Sequence, residues 1–448
     1  MSLISIPPAP AAPSPGPGPG PGPGPRSSGS TPTRDAAVDL VRAACLIAVV
    51  AVHALMVGVS VQGGEAVLEN ALESWGGFTV FSWFAQMMPL FFIAGGFASA
   101  THCRGLRSRG VTPAGYVAAR LGRLLPVPLL AAAATTLTLA ALTVSGVDPE
   151  TVATAGWRIS QPLWFLGVYV LCSALVPAML KLHERAPRLA LALLGAAIVI
   201  IDVARASTGI EAVGFANLVF VWLFVQQLGF FLADGVVVGP RAAVAAAAGG
   251  VAWVALGFSP ANLFAALNPP TAALALLGVV HAAIFVALRP KLDRIAALPS
   301  VQQATKAINA RSMTIYSWHM PATVLLAGAL LLASQAAGAG QGLPLPLTGE
   351  WWLSRPAWLA AVALVVGVTV AVAARLEARV LPRLRLAAAP SPARTSLAAT
   401  GGAGGVLVIL AATGAPLAWL AGSALIAAAI GLCLEPRQKA KAAPSRRP

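Results

Sequence analysis

The chain has 448 residues, 58% of them hydrophobic and only 10% charged, with a mean hydropathy of +0.80. Soluble domains carry roughly a quarter of their residues as charges, so this composition excludes a water-facing globule. Its net charge of +15 fits helix orientation by the positive-inside rule rather than a nucleic-acid partner.

Residues 1–33 are rich in Pro, Gly and Ser, with "PGPGPGPGPGP" at their centre. Such a segment buries no apolar area and is expected to be a disordered cytoplasmic tail. No apolar core follows a basic start, so it does not read as a signal peptide. Apolar runs of transmembrane length then recur at 39–61, 78–100, 116–144, 161–180, 189–204, 215–233, 242–258, 271–288, 313–333 and 356–374. They are too long and too uniformly apolar for barrel strands. The fold class is therefore all-α, a polytopic transmembrane helical bundle with a ten-helix core over 34–385.

Alternate loops hold most of the Lys and Arg, among them "RGLRSR", "KLHERAPR" and "RLEARVLPRLR". Placing these inside puts the N-terminus in the cytoplasm of a multi-pass plasma-membrane protein. A further apolar block at 397–434 reads as a C-terminal hairpin or as a single extra span, followed by a basic tail at 435–448. The hairpin keeps that tail inside and leaves only Arg158, Arg205 and Arg355 on the outer side. No internal repeat suggests a transporter of inverted halves.

Ionisable residues inside such spans need a reason. In "RAACLIAVVAVH", Arg42 and His53 are eleven residues apart, about three turns plus roughly 20°, so they share one stripe with about 16 Å between them. Arg42 reads either as a snorkelling anchor or as a functional cation. His53 falls near mid-membrane, where an imidazole faces a cavity or a polar partner. Arg120 and Arg123 in "YVAARLGRLLPVP" project from one helical face, which suits either topology or a phosphate clamp. His319 in "RSMTIYSWHMP" is a second intramembrane imidazole, with Tyr316 one turn before it and Pro321 loosening the backbone after it. His281 reads as structural, and His102 and His183 as solvated loop residues. The four cysteines have no paired spacing and read as small buried hydrophobes. No metal-ligand spacing is present in the sequence, so no metal is expected.

These pieces together resemble the integral membrane acyltransferases of family 3, the O-acyltransferases of bacterial surface carbohydrates. The shared motifs are "RDAAVDLVRAACLIAVVAVH", "PLFFIAGGFASA", "YVAARLGRLLPVP", "PLWFLGVYVL" and "SMTIYSWHMP". The second helix departs slightly, with "AGG" at 94–96 where many members have Ser-Gly. The resemblance implies transfer of an acyl group, commonly acetyl, from acyl-CoA to a hydroxyl on a carbohydrate, glycolipid or other exported acceptor. It implies that Arg42, Arg120 and Arg123 bind the donor and that His53 and His319 serve catalysis. A histidine suits the general base because its ordinary pKa lies near 6.5, and Tyr316 suits the oxyanion. The competing class is a proton-coupled transporter or flippase using the same histidines as relays.

Overall fold

The computed structural model describes residues 4–5, 35–62, 65–336, 343–381, 390–411 and 415–434. In chain order they form β1 (Ile4–Ser5), α1 (Ala36–Met56), β2 (Val57–Gln62), β3 (Glu65–Asn70), α2 (Phe78–Ala85), α3 (Met88–Arg107), α4 (Pro113–Leu124), α5 (Pro126–Val144), α6 (Pro149–Ser160) and α7 (Leu163–Arg185). There follow α8 (Pro187–Thr208), α9 (Glu211–Gly214), α10 (Asn217–Ala233), β4 (Val237–Val238), α11 (Pro240–Ala255) and α12 (Ala272–Ala296). The chain closes with α13 (Pro299–Ala310), α14 (Ser312–Ala336), α15 (Gly349–Val380), α16 (Pro392–Ala411) and α17 (Pro416–Cys433). Among the described residues, eleven helical stretches are long and apolar enough to cross a membrane. The architecture is the polytopic helical bundle that the composition predicts.

Several spans differ in detail from the sequence reading. The first stops at Met56 instead of residue 61, because "VGVSV" is rich in β-branched residues and pairs with β3, Val57 opposite Asn70. The span expected at 116–144 is two helices parted at Leu125, since Pro126 and Pro128 lack the N–H that would continue the first. Pro126 instead opens α5 at a position where no N–H is needed. The span at 78–100 is likewise divided before Pro89, and Gln86 fills the gap. Its amide donates to the Leu263 carbonyl at 3.0 Å and its oxygen accepts from Met88 N at 3.3 Å. Three short helices, α6, α9 and α13, stand where loops were expected. The block 397–434 is a pair of helices, α16 and α17, packed on each other rather than one long span. Both tails lie outside the described residues, apart from Ile4–Ser5, which pair antiparallel with Val237–Val238.

The chain forms two compact units, one of residues 1–45, 86–105 and 182–309, the other of 46–85, 106–181 and 310–448. In the first, α3 and α10 meet backbone to backbone. A methyl group at Gly96 would overlap the Gln226 carbonyl, and one at Gly229 would overlap that of Ile93. Close approach through glycine is how helices gain contact where no water drives them together, and Phe92 stacks on Trp222 beside the crossing at 4.5 Å. At one end of this unit Asp202, fully buried, accepts from Asn217 Nδ2, Trp253 Nε1 and Ala272 N, each at 2.8 Å. One carboxylate thereby ties α8, α10, α11 and α12.

A second polar knot in this unit corrects the reading of His183 as solvated. Its ring is only 2% exposed, because α7 runs on to Arg185 and carries it against α10. Its Nε2 lies 2.9 Å from Asp234 Oδ2 and its Nδ1 2.6 Å from Gln227 Nε2. Arg104 donates to Asp234 Oδ1 at 2.6 Å. Partial burial would raise the Asp234 carboxyl, but the bonds from Arg104 and His183 outweigh it and hold the group below its ordinary range.

The second unit gathers α4–α6, α14–α17 and the β2–β3 hairpin, with an apolar cluster of Ala54, Val57, Ala322, Ala327, Trp358, Val362, Val366 and Val370. Gly405 and Gly422 bring the backbones of α16 and α17 together, and Gly402 rests on Leu125 at the α4–α5 break.

Gly229→Ala is expected to force α3 from α10 at a cost of about 1–3 kcal/mol, read as a lower thermal-shift midpoint in detergent. An unchanged midpoint would show that the crossing tolerates a methyl. A depressed carboxyl stabilises the fold above its unfolded pKa of about 3.9 and loses that contribution as pH falls. Asp234→Asn is therefore expected to flatten the acid limb of the stability profile below about pH 4, with thermal midpoints across pH as the measurement.

Candidate active site

Five of the six candidate residues, His53, His319, Tyr316, Arg120 and Arg123, belong to the second unit, while Arg42 belongs to the first. His53 sits in the last turn of α1, and His319 stands two turns into α14. The two rings meet: His53 Nδ1 lies 3.0 Å from His319 Nε2, with the ring planes only 16° apart. His319 Nδ1 in turn lies 2.7 Å from the Tyr316 carbonyl oxygen.

This geometry fixes the proton positions of the neutral pair. A carbonyl oxygen only accepts, so His319 carries its hydrogen on Nδ1 and presents a lone pair at Nε2. His53 must then donate from Nδ1, which leaves its own lone pair on Nε2. Among the described residues no bond engages that nitrogen. His319 is buried and His53 only partly so, which leaves the outer imidazole of the pair as the accessible one.

Tyr316 does not direct its hydroxyl at the histidines. It donates to the Pro162 carbonyl at 2.8 Å, a group at the break between α6 and α7 that also accepts from Phe165 N. Its ring leans on Phe165 at 5.3 Å, and Phe165 stacks on Tyr169 at 5.2 Å. Tyr169 Oη accepts from Arg120 Nη2 at 3.0 Å. A chain of contacts thus runs within one unit from Arg120 through Tyr169, Phe165 and Tyr316 to the histidine pair.

The two arginines of α4 part company. Thr112 caps this helix by accepting from Gly115 N at 3.1 Å, and Pro113 opens it. Arg120 turns inward, where its Nε is buried with no hydrogen-bond partner, while Arg123 is exposed. Arg42 keeps Asp39 within 3.7 Å, and its Nε is likewise buried and unpartnered.

Three supporting residues carried no signal that the sequence alone could use. Tyr169 lies inside an apolar run and gains meaning only from Arg120. Glu377, near the end of α15, accepts from Thr314 Oγ1 at 2.8 Å and Trp318 Nε1 at 3.3 Å, pinning the helix that carries His319. Trp358 Nε1 donates to the Ala54 carbonyl at 2.8 Å. That carbonyl, next to His53, is one of those left without a helical partner at the end of α1. A lone acid and a lone tryptophan in an oily helix are otherwise indistinguishable from anchors.

The chain matches the acyltransferase 3 family, described as an acyltransferase domain, over residues 35–374. Neither the curated proteins nor the solved structures compared with it contain a match. The family match favours group transfer over the transporter reading, and its range takes in all six candidate residues. The chain belongs to the acyltransferase 3 family and is a multi-pass membrane acyltransferase.

Proposed function

We propose that this protein moves an acyl group, acetyl in the simplest case, from acyl-CoA to a hydroxyl of a carbohydrate, glycolipid or other cell-envelope acceptor. The observation that carries the reading is the aligned histidine pair, which leaves His53 Nε2 as an accessible base. His53 takes the proton of the acceptor hydroxyl, and the oxygen attacks the thioester carbonyl. The C–S bond then breaks, the ester forms, and the CoA thiolate leaves with the proton that His53 had accepted. His319 is a positioning residue that holds His53 in one tautomer and spreads the imidazolium charge when it forms.

The oxyanion role assigned to Tyr316 from the sequence requires its hydroxyl to exchange Pro162 for the substrate. We therefore assign Tyr316 first to orienting His319 through its carbonyl. Arg120 and Arg123 are the donor clamp: CoA brings phosphates, and a guanidinium meets phosphate with a fixed fork of donors. The unpartnered Nε of Arg120 suits an anionic ligand, since an unsatisfied buried donor is costly to leave. In the first unit, Arg42 has an unpartnered buried Nε of its own and keeps the donor-binding role that its sequence motif suggests. In this reading the N-terminus and the donor are cytoplasmic, the membrane is the plasma membrane, and residues 34–385 form the catalytic core. The C-terminal pair at 397–434 and the tails lie outside that core.

With labelled acetyl-CoA and an envelope fraction as acceptor, membranes carrying His53→Ala are expected to lose about two to four orders of magnitude in rate. Near-normal turnover would remove His53 as base. His319→Ala is expected to lower kcat by about tenfold to a hundredfold with the KM for acetyl-CoA unchanged. It should also shift the pH–rate profile, which a purely structural role would not do. Arg123→Ala is expected to weaken acetyl-CoA binding by about tenfold, measured by equilibrium dialysis, and unchanged binding would sink the clamp.

A further inference from the structure

The second unit holds a cation that the mechanism above does not use. Arg355, on the second turn of α15, is partly buried and has no carboxylate partner among the described residues. Its two hydrogen bonds stay on its own helix, Nε to the Trp351 carbonyl at 3.1 Å and Nη2 to Ser354 Oγ at 3.0 Å. Nη1 carries no bond among the described residues. By contrast Arg205, a similarly enclosed guanidinium of the first unit, pairs with Glu211 at 3.1 Å. Partly burying a charge without a counter-ion is unfavourable, more so in a segment of transmembrane character.

The surroundings of Arg355 are aromatic. Its guanidinium lies 4.2 Å from the centre of the Trp351 ring and 5.5 Å from that of Trp358. Trp352, exposed at the rim, meets Trp351 edge to face and lies 5.3 Å from the Trp75 ring. The Trp351 indole N–H is buried with no partner. Trp358 bonds the Ala54 carbonyl beside His53, so the cluster is joined directly to the turn that carries the proposed base. A belt of anchoring tryptophans accounts for the indoles alone. It does not account for an uncompensated guanidinium held among them.

We propose that Arg355, seated on the buried Trp351 ring, forms with Trp352 and Trp75 the subsite that grips the acyl acceptor, and that this acceptor joins a sugar ring to an anionic group. An indole face receives the C–H face of a sugar ring, and the open edge of a guanidinium fits phosphate or carboxylate. The proposal rests on the acyltransferase reading and names the acceptor class of that site.

The test uses the full chain in phosphatidylcholine nanodiscs, with glucose 1-phosphate, glucose and inorganic phosphate as probes in equilibrium dialysis. Glucose 1-phosphate is expected to bind about tenfold more tightly than either of the others. Arg355→Gln should reduce it to the level of glucose, Arg355→Lys should keep part of the preference, and Trp352→Leu should weaken both sugars alike. Equal binding of glucose 1-phosphate and glucose by the parent protein overturns the proposal, as does a preference that survives Arg355→Gln. If the preference disappears when half of the lipid is phosphatidylglycerol, a headgroup phosphate holds the site and the acceptor assignment falls. Acetyl-CoA binding by the parent protein is measured alongside. Its absence would count against the acyl-CoA reading and leave the sugar-phosphate result standing by itself.

Discussion

A single backbone carbonyl gives the site its direction. The Tyr316 oxygen cannot donate, so it forces the proton of His319 to one nitrogen, which forces that of His53 to the matching nitrogen. The lone pair left unengaged on His53 appears two rings away from the group that determines it. The same turn of α14 sends the Tyr316 hydroxyl to Pro162 and the backbone oxygen to His319, so one residue joins the α6–α7 break to the histidine pair. Glu377 holds the neighbouring positions Thr314 and Trp318 from α15. In a low-dielectric interior such bonds are strong, and unmade ones are costly, so the orientation of the histidine pair depends on every link.

The helices meet this demand with unlike means. In the first unit, glycine removes side chains where α3 and α10 cross, and the buried carboxylate of Asp202 binds the ends of four helices together. In the second unit aromatic rings fill the space between arginine and imidazole, and their hydroxyl and indole groups occupy the polar atoms left at helix ends and breaks. Phe165 is the middle member of that series and offers no polar atom of its own. The Arg120 end and the histidine end are therefore joined by ring packing, not by a continuous hydrogen-bonded path.

Much of this was legible in the residues. Apolar run length announced the bundle, and the cost of charge in oil singled out His53, His319 and the arginines. That the two histidines touch is a long-range fact, since α1 and α14 are 266 residues apart at the contact, and no periodicity encodes it. The inward turn of Arg120 and the exposed position of Arg123 were equally hidden, because i and i+3 share a face whatever packs against it. His183 was misjudged because a charged neighbourhood in sequence looks like a solvated loop. The helix in fact continues and buries the ring against α10. The β2–β3 hairpin was missed for a related reason: "VGVSV" is as apolar as the helix before it, and only its β-branched alternation marks the change.

The two C-terminal helices fall beyond the residue at which the family match ends, yet Gly402 of α16 seats against Leu125, the residue that separates α4 from α5. The arginine helix thus leans on chain that the shared domain does not define. A change at Gly402 or elsewhere along α16 would therefore disturb the α4–α5 break, and with it the footing of Arg120 and Arg123, without touching any candidate residue.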